Sequence, residues 1–324
     1  MTDIIQTTTT KPESTYLGKL AQYNITKTLG VEHLYPVYLA ETADSTETFV
    51  VKTMNANDAS FLNESNVFAL PEHKNIIKAK DLLSNVSADI KTDKTRGLET
   101  QQSAVVMEFA ENGDMFNYAV QGAFSEKIAR YFFEQILNAL EHLHSNSFCH
   151  LDIKLENILL DKDFTVKLTD FGFASKLEEG KRLYKKVGTP GYKAPEMWKV
   201  GSNFTGYDGV KADVFQLGVL LFIITTGMVP FAEANGGDVW YRPALNGKWD
   251  IFWNLKEKAL RSRKSGLKTF DANFKELMTR LLNPDDSKRP SIQEIKESAW
   301  FKSVEPATYE EVLAEMNMRK LLIK

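Results

Sequence analysis

The spacing of apolar and polar positions changes character near residue 110. Before that point the pattern is one of strands. The runs "YNITKTLG", "YPVYLAET" and "ETFVVKTM" are short and rich in β-branched and aromatic residues, with polar stretches between them. "DASFLNESNVFAL" interrupts the series with helical spacing and stops at Pro71. Strands resume at "IIKAKDLL" and "SAVVMEFA", and the polar residues 84–102 between them predict a loop without periodicity. Beyond residue 110 helices take over. "SEKIARYFFEQILNALEHLHSN" carries an apolar stripe through Ile128, Phe132, Ile136, Leu140 and Leu143, and "LGVLLFIITTG", "FKELMTRLL" and "SIQEIKESAW" follow. No internal repeat interrupts this order. The prediction is an α+β, bilobal fold: a small β-rich lobe over residues 21–109, a larger α-rich lobe over 110–301, and a cleft at their junction.

The ends read differently. Residues 1–20, with a threonine run at 7–10 followed by Lys11 and Pro12, predict a flexible tail. Residues 302–324 form a C-terminal tail in which Val312, Leu313, Met316 and Leu321 fall at helical spacing. The spacing suggests a helix that docks on the chain itself or on a partner, and a disordered tail is the alternative.

Composition narrows the function classes. A net charge of -3 over 324 residues gives no electrostatic reason for a nucleic-acid partner. The single cysteine, Cys149, excludes an intramolecular disulfide and suggests a reducing compartment, cytoplasmic or nuclear. The start, "MTDIIQTTTTKPEST", lacks the apolar segment of a secretory signal, and Thr2 does not fit N-myristoylation. The most apolar run, residues 214–231, contains Gln216, two threonines and two glycines and is short for a membrane span. It is expected to be a buried core helix, so no membrane partner is expected.

Candidate chemistry begins at Lys52, at the end of the strand run "FVVK", where alternation lets it face the lobe interior. Alone it reads as a solvated strand-end residue. Glu64 changes that reading, because it shares a helix face with Phe61 and Phe68. A carboxylate among phenylalanines is costly unless a cation meets it. Lys52 is the nearest candidate, and a Glu64 that curls out to solvent is the alternative. Farther on, "VKLTDFGFA" ends a strand-like run in Asp170, and "CHLDIKLENILL" holds Asp152, Lys154 and Asn157. Magnesium takes hard oxygen ligands, which Asp170 and Asn157 can supply. Asp152 then serves to accept a hydroxyl proton, and Lys154 to neutralise charge on a transferred phosphoryl group.

Taken with "VVK", "APE" at residues 194–196, "DVFQLG" at 213–218 and Arg289 in "SKRP", these motifs resemble the eukaryotic protein kinases over residues 21–301. The type is serine/threonine, of the calcium/calmodulin-dependent-kinase-like group. The resemblance implies transfer of the γ-phosphate of Mg-ATP to protein hydroxyls. It makes Asp152 and Lys154 catalytic and Asn157 and Asp170 the Mg ligands. It places Lys52 on the ATP phosphates and paired with Glu64, with Gly30 in the glycine-rich loop. It sets Val37, Val50 and Leu159 about the adenine, Glu108 and Ala110 at the hinge after Met107, and Asp114 near the ribose or a basic substrate residue. It makes Glu196 and Arg289 a buried structural pair, and His150, Phe171 and Phe68 packing residues of the regulatory spine. Cys149 reads as a small core residue.

Several positions depart from the family pattern. In "LGVEHLYPVYLA", Glu32 and Tyr35 replace the second and third glycines and Pro36 follows, which predicts a weakened phosphate cradle and a raised ATP KM. Leu151 stands where an arginine commonly pairs with an activation-segment phosphate. Lys185 stands at the usual acceptor position, leaving Tyr184 and Ser175 as other candidates for modification. Both halves of that switch are missing together, which predicts a segment ordered without phosphorylation. Lys154 and Thr189 fit the serine/threonine type. Asp114 and Glu156 suggest substrates with basic residues upstream of the phosphoacceptor, whereas Ile223 replaces an acid found in some basophilic kinases. The basic residues 258–264 read as a solvated loop. The competing expectation is a pseudokinase that acts as a binding or scaffold module.

Overall fold

A computed structural model of the chain describes residues 16–32, 35–43, 47–90, 100–199, 204–262 and 269–323. The chain divides into two compact units. Residues 1–62 and 79–109 form the first, and residues 63–78 and 110–324 form the second.

In the first unit the strands are β1 (Gly18–Leu20), β2 (Tyr23–Glu32), β3 (Tyr35–Thr42) and β4 (Thr48–Asn55). The helix α1 (Ala59–Phe68) begins here and ends in the second unit, before β5 (Ala79–Ile90) and β6 (Thr100–Glu108). Among the described residues these six strands close into an antiparallel barrel in the order β1-β2-β3-β4-β6-β5, with β1 pairing β5. Alternation builds its core. Tyr23, Ile25, Tyr38, Ala40, Phe49, Val51, Ala104 and Val106 point inward and are almost fully buried.

Two expectations change here. Residues 18–20, expected in the flexible tail, form a strand because β2 and β5 both offer it backbone partners, a long-range effect. Residues 1–15 lie outside the described residues. Of the expected loop 84–102, residues 84–90 and 100–102 extend β5 and β6, while 91–99 lie outside the described residues.

The second unit carries α2 (Met115–Ala119), α3 (Glu126–Ser145) and the short strands β7 (Phe148–Cys149), β8 (Ile158–Leu160), β9 (Val166–Leu168) and β10 (Ser175–Lys176). Its remaining helices are α4 (Gly209–Thr226), α5 (Arg242–Leu245), α6 (Trp249–Arg261), α7 (Ala272–Leu281), α8 (Ile292–Glu297), α9 (Ala299–Lys302) and α10 (Tyr309–Lys320). The predicted stripe of α3 is buried: Ile128, Phe132, Ile136, Leu140 and Leu143 are at most 2% exposed. The apolar run is the core helix expected. α4 is capped by Asp208, whose side chain accepts from the backbone of Val210 and Lys211, and it stops at Gly227 in the left-handed region. By length and composition α4 passes as a membrane span, yet most of its residues are buried inside the unit.

Elsewhere sequence periodicity runs past the true boundaries. "IIKAKDLL" does not enter the sheet at Ile76, which bridges to Leu168 instead. "SIQEIKESAW" breaks at Ser298, whose side chain caps α9 through the Phe301 amide at 3.2 Å. Residues 258–261, expected as loop, are the last turn of α6, and 263–268 lie outside the described residues.

The C-terminal tail is a helix packed on its own unit. α10 opens with a capping box between Thr308 and Glu311 and buries Val312 and Met316 completely. Leu321, expected on the packed face, is 86% exposed. Its place is taken by Arg319, which donates to the carbonyls of Tyr118, Gly122 and Ala123 and lies 4.2 Å over the Phe124 ring.

Candidate active site

The first unit supplies Gly30, Val37, Val50, Lys52 and Glu108. Gly30 pairs with Val37 and Val37 with Lys52 across the β2-β3-β4 ladder. Since Phe49 and Val51 point into the barrel core, alternation puts Val50 and Lys52 on the opposite face. Lys52 is therefore turned away from the barrel interior, yet it is only 1% exposed. Its ammonium lies 5.7 Å from the ring centroid of Tyr35, the residue that replaces a loop glycine. The Tyr35 hydroxyl is 3.0 Å from Ser60 Oγ at the start of α1, and burial pushes its pKa up. A Cβ added to Gly30 would meet nothing within 4 Å. Glu108 ends β6, opposite Phe49.

The second unit holds the other candidates. Glu64 is 1% exposed on α1. Ala110 is buried, and Asp114 caps α2, accepting from Asn117 N at 3.0 Å, and bridges to Leu159 in β8. The stretch 150–157 winds through a left-handed residue, Leu151, and a 3-10 turn at Leu155–Asn157. It brings Asp152, Lys154 and Asn157 together. Asp152 is fully buried. Its Oδ1 accepts from Thr189 N at 2.9 Å and Thr189 Oγ1 at 2.7 Å. Its Oδ2 accepts from Lys154 Nζ at 2.7 Å and, more loosely, from Asn157 Nδ2 at 3.4 Å. Lys154 Nζ also reaches Thr189 Oγ1 at 3.3 Å. A buried carboxylate with donors on both oxygens has a fixed orientation.

Asn157 meets the test for a metal ligand. Its Nδ2 is held by the Asp152 carbonyl at 2.9 Å, which aims Oδ1 the other way, and that oxygen is buried without a hydrogen-bond partner. A buried unsatisfied acceptor is costly and fits a hard cation. Asp170 is 5% exposed and sits at φ 62°, so the chain turns sharply after β9. Thr169 before it is tied on both sides, donating to the Asn157 carbonyl at 3.0 Å and lying 3.0 Å from His150 Nε2. Phe171 after it packs edge-on against both Phe68 and His150, as the spine reading expects. Among the described residues no group of three or more His, Cys, Asp or Glu is placed to hold a metal. Asn157 and Asp170 offer the one or two hard oxygen donors that a magnesium ion would take from protein.

The activation segment, residues 170–196, is held at several points. Leu183 and Tyr207 exchange two backbone hydrogen bonds of 2.9 Å, and the Tyr207 hydroxyl donates to the Lys185 carbonyl at 2.8 Å. Arg182 donates to the Gly206 carbonyl, and Tyr184 packs edge-on against Phe204. The Lys185 side chain is exposed, as is Tyr184, but Ser175 is buried and closed to modification in this arrangement. At the far end Glu196 and Arg289 form the expected pair. It is bidentate, at 2.6 and 2.7 Å, and both residues are buried. Cys149 is fully buried, with Sγ 3.4 Å from the Ser175 carbonyl, and burial pushes its thiol well above the usual range. It is a core residue, not an accessible nucleophile.

A family model described as "Protein kinase domain" matches residues 23–301. The chain belongs to the protein kinase family. It is 31% identical to the CBL-interacting protein kinase 26 of Oryza sativa subsp. japonica over 87% of this chain and 52% of that protein. It is 30% identical to the SNF-related serine/threonine-protein kinase of Rattus norvegicus over 90% of this chain and 36% of that protein. The chain thus spans about half or less of the length of these curated relatives. The SNF-related relative is by name a serine/threonine kinase, and Lys154 and Thr189 meeting at Asp152 agree with that class.

Two residues of this kinase domain carry contacts that were given no role from sequence. One is Tyr207, which anchors the activation segment from outside any motif. The other is Gln216, fully buried in α4, whose Oε1 accepts from Ile153 N at 2.8 Å and whose Nε2 donates to the Leu151 carbonyl at 2.9 Å. The available signal was a glutamine inside the most apolar run of the chain, a placement that requires partners.

Proposed function

We propose that this chain is an active serine/threonine kinase, transferring the γ-phosphoryl group of ATP to protein hydroxyls. The observation that carries the reading is the arrangement at Asp152, a buried carboxylate fixed by Thr189, Lys154 and Asn157. A decayed site has no reason to retain that set. Asp152 accepts the proton of the substrate hydroxyl and orients its oxygen. The long contact from Asn157 is the one an incoming hydroxyl displaces most easily. Lys154 turns from Asp152 towards the phosphoryl oxygens and neutralises their charge, and Lys52 holds the other phosphates. Asn157 and Asp170 would hold magnesium, which would neutralise phosphate charge when bound. Asp114 and exposed Glu156 attract basic residues upstream of the acceptor.

We further propose that the activation segment needs no phosphate. Support comes from its four anchors on residues 204–207 and from Leu151, which fills with a buried apolar side chain the place of a phosphate-binding arginine. The test is γ-phosphate transfer from Mg-ATP to a generic basic protein, beside Asp152→Asn, before and after phosphatase treatment. Transfer by wild type, loss in the variant and indifference to phosphatase are expected. Loss of activity after phosphatase overturns the second proposal alone.

The second reading is a pseudokinase binding module, and Tyr35 beside Lys52 favours it. It predicts no transfer by the wild type on any protein substrate, together with unaltered partner binding in Asp152→Asn.

A further inference from the structure

The backbone of residues 150–153 is gripped by two side chains one turn apart on α4. Asp213 Oδ2 accepts from His150 N at 2.8 Å and Oδ1 from Leu151 N at 2.7 Å. Gln216 takes the next two groups, the Leu151 carbonyl and the Ile153 amide. Its two bonds therefore straddle Asp152, one on each side. Both are buried, so water cannot replace them.

Leu151 makes this grip necessary. Its φ of 68° is unfavourable for a residue with a Cβ, and such a conformation persists only where the surroundings over-determine it. Its apolar side chain contributes no hydrogen bond. The clamp also reaches the activation segment. A Cβ at Gly188, itself at φ 91°, would lie 2.9 Å from the Leu151 carbonyl and 3.5 Å from Gln216 Nε2. The next residue, Thr189, is the one that donates twice to Asp152. We propose that Gln216 is a positioning residue for Asp152, a charge-neutral clamp that fixes the catalytic loop between α4 and residues 188–189. The proposal rests on the reading of Asp152 as the proton acceptor.

Two variants test it. Gln216→Met keeps length and removes both hydrogen bonds. Gln216→Glu keeps the shape, and in its protonated form a carboxylic acid restores one donor and one acceptor. Burial beside Asp213 favours that protonated form at lower pH. Asp213, His144, His150, Asp152, Lys154 and Lys193 are the charged or titratable groups around the clamp, and they are common to the wild type. Variant and wild-type kcat are therefore compared at each pH.

The expected result for Gln216→Met is a kcat lower by about tenfold to a hundredfold, with ATP KM within about twofold, since a misplacement near 1 Å costs that much. For Gln216→Glu the ratio to wild type rises about tenfold between pH 8 and pH 6. Should the Met variant not fold, the pH profile of the Glu variant decides. A Met variant with kcat within twofold of wild type, or a Glu ratio flat with pH, overturns the proposal. A wild type that transfers no phosphate defeats the functional reading instead. Hydrogen exchange then decides the clamp: the Ile153 amide loses protection in Gln216→Met if the clamp holds the loop and keeps it if not.

Discussion

Arg289→Leu measures how far the fold depends on one buried ion pair. Arg289 Nη1 and Nη2 bind Glu196 at 2.6 and 2.7 Å, Nε donates to the Asn283 carbonyl at 2.9 Å, and Nη1 donates to the Lys211 carbonyl at 2.8 Å. The guanidinium is 4.9 Å from the Phe215 ring centroid. Leucine removes the charge and leaves Glu196 buried without its cation, along with two carbonyls that lose a donor. Stranding one member of such a pair costs about 3–5 kcal/mol, a large part of the roughly 5–15 kcal/mol that holds a domain together. At about 2–4 °C per kcal/mol the melting temperature falls by about 6–20 °C. All five tryptophans lie in the second unit, so urea unfolding followed by tryptophan fluorescence reports on it. The double variant Glu196→Leu, Arg289→Leu recovers most of the loss, because it buries no charge. A single variant within 1 kcal/mol of wild type, or a double variant that loses the sum of the two single effects, refutes the reasoning.

Tyr35→Gly removes the ring beside Lys52 and restores a glycine to the phosphate loop. The ATP dissociation constant is expected to fall by about three- to tenfold, since a contact of this kind is worth roughly 0.5–1 kcal/mol or more; titration calorimetry that finds equal or weaker binding contradicts it. Lys256, only 5% exposed between Trp240 and Phe252, has its pKa brought down to about 8 by burial, against some support from Asp238. Below pH 8 the folded and unfolded chains both carry its proton, so the cost of burying the charge is then fully present, at about 3 kcal/mol. Between pH 8 and 10.5 the unfolded state binds more protons, and this contribution to stability improves as pH rises. Lys256→Met, which also loses the two ring contacts, is therefore expected to stabilise by about 1–2 kcal/mol at pH 7 and to lose that advantage near pH 10, as read by urea unfolding at both.

Local pattern and local chemistry were legible where each residue's own neighbours decide its place. The α3 stripe and the β2, β3 and β4 runs follow from periodicity, and the trio at 152, 154 and 157 follows from spacing within one turn of chain. What stayed hidden depends on partners distant in sequence. Gly18–Leu20 is a strand because β2 and β5 flank it. α10 is fixed not only by the buried Val312 and Met316 that suggested it but also by Arg319, whose acceptors lie about 200 positions away. The burial of Lys52 was legible, but not which of the two strand faces it takes. Strand alternation gives two faces but not which one is the barrel core, and the core is set by the cross-strand partners Tyr38, Phe49 and Val51.

The same dependence explains why α4 looks so apolar and yet organises the chemistry. A helix buried on every side can afford polar side chains only where each finds partners. Asp213 and Gln216 find theirs on the backbone of 150–153, Asp213 also meets His144 at 2.9 Å, and the backbone of Lys211 takes a hydrogen bond from Arg289. The N-terminal turns of one helix are thus tied both to residues 150–153 and, through Arg289 and Glu196, to the end of the activation segment. A switch that relies on phosphate must create its ion pair afresh each time and is sensitive to salt. Hydrogen bonds shielded from water, like these, are present as soon as the unit folds. On the proposed reading, in which Asp152 is positioned by folding and the segment needs no phosphate, control of activity would act on substrate or nucleotide access and not on the order of residues 150–153.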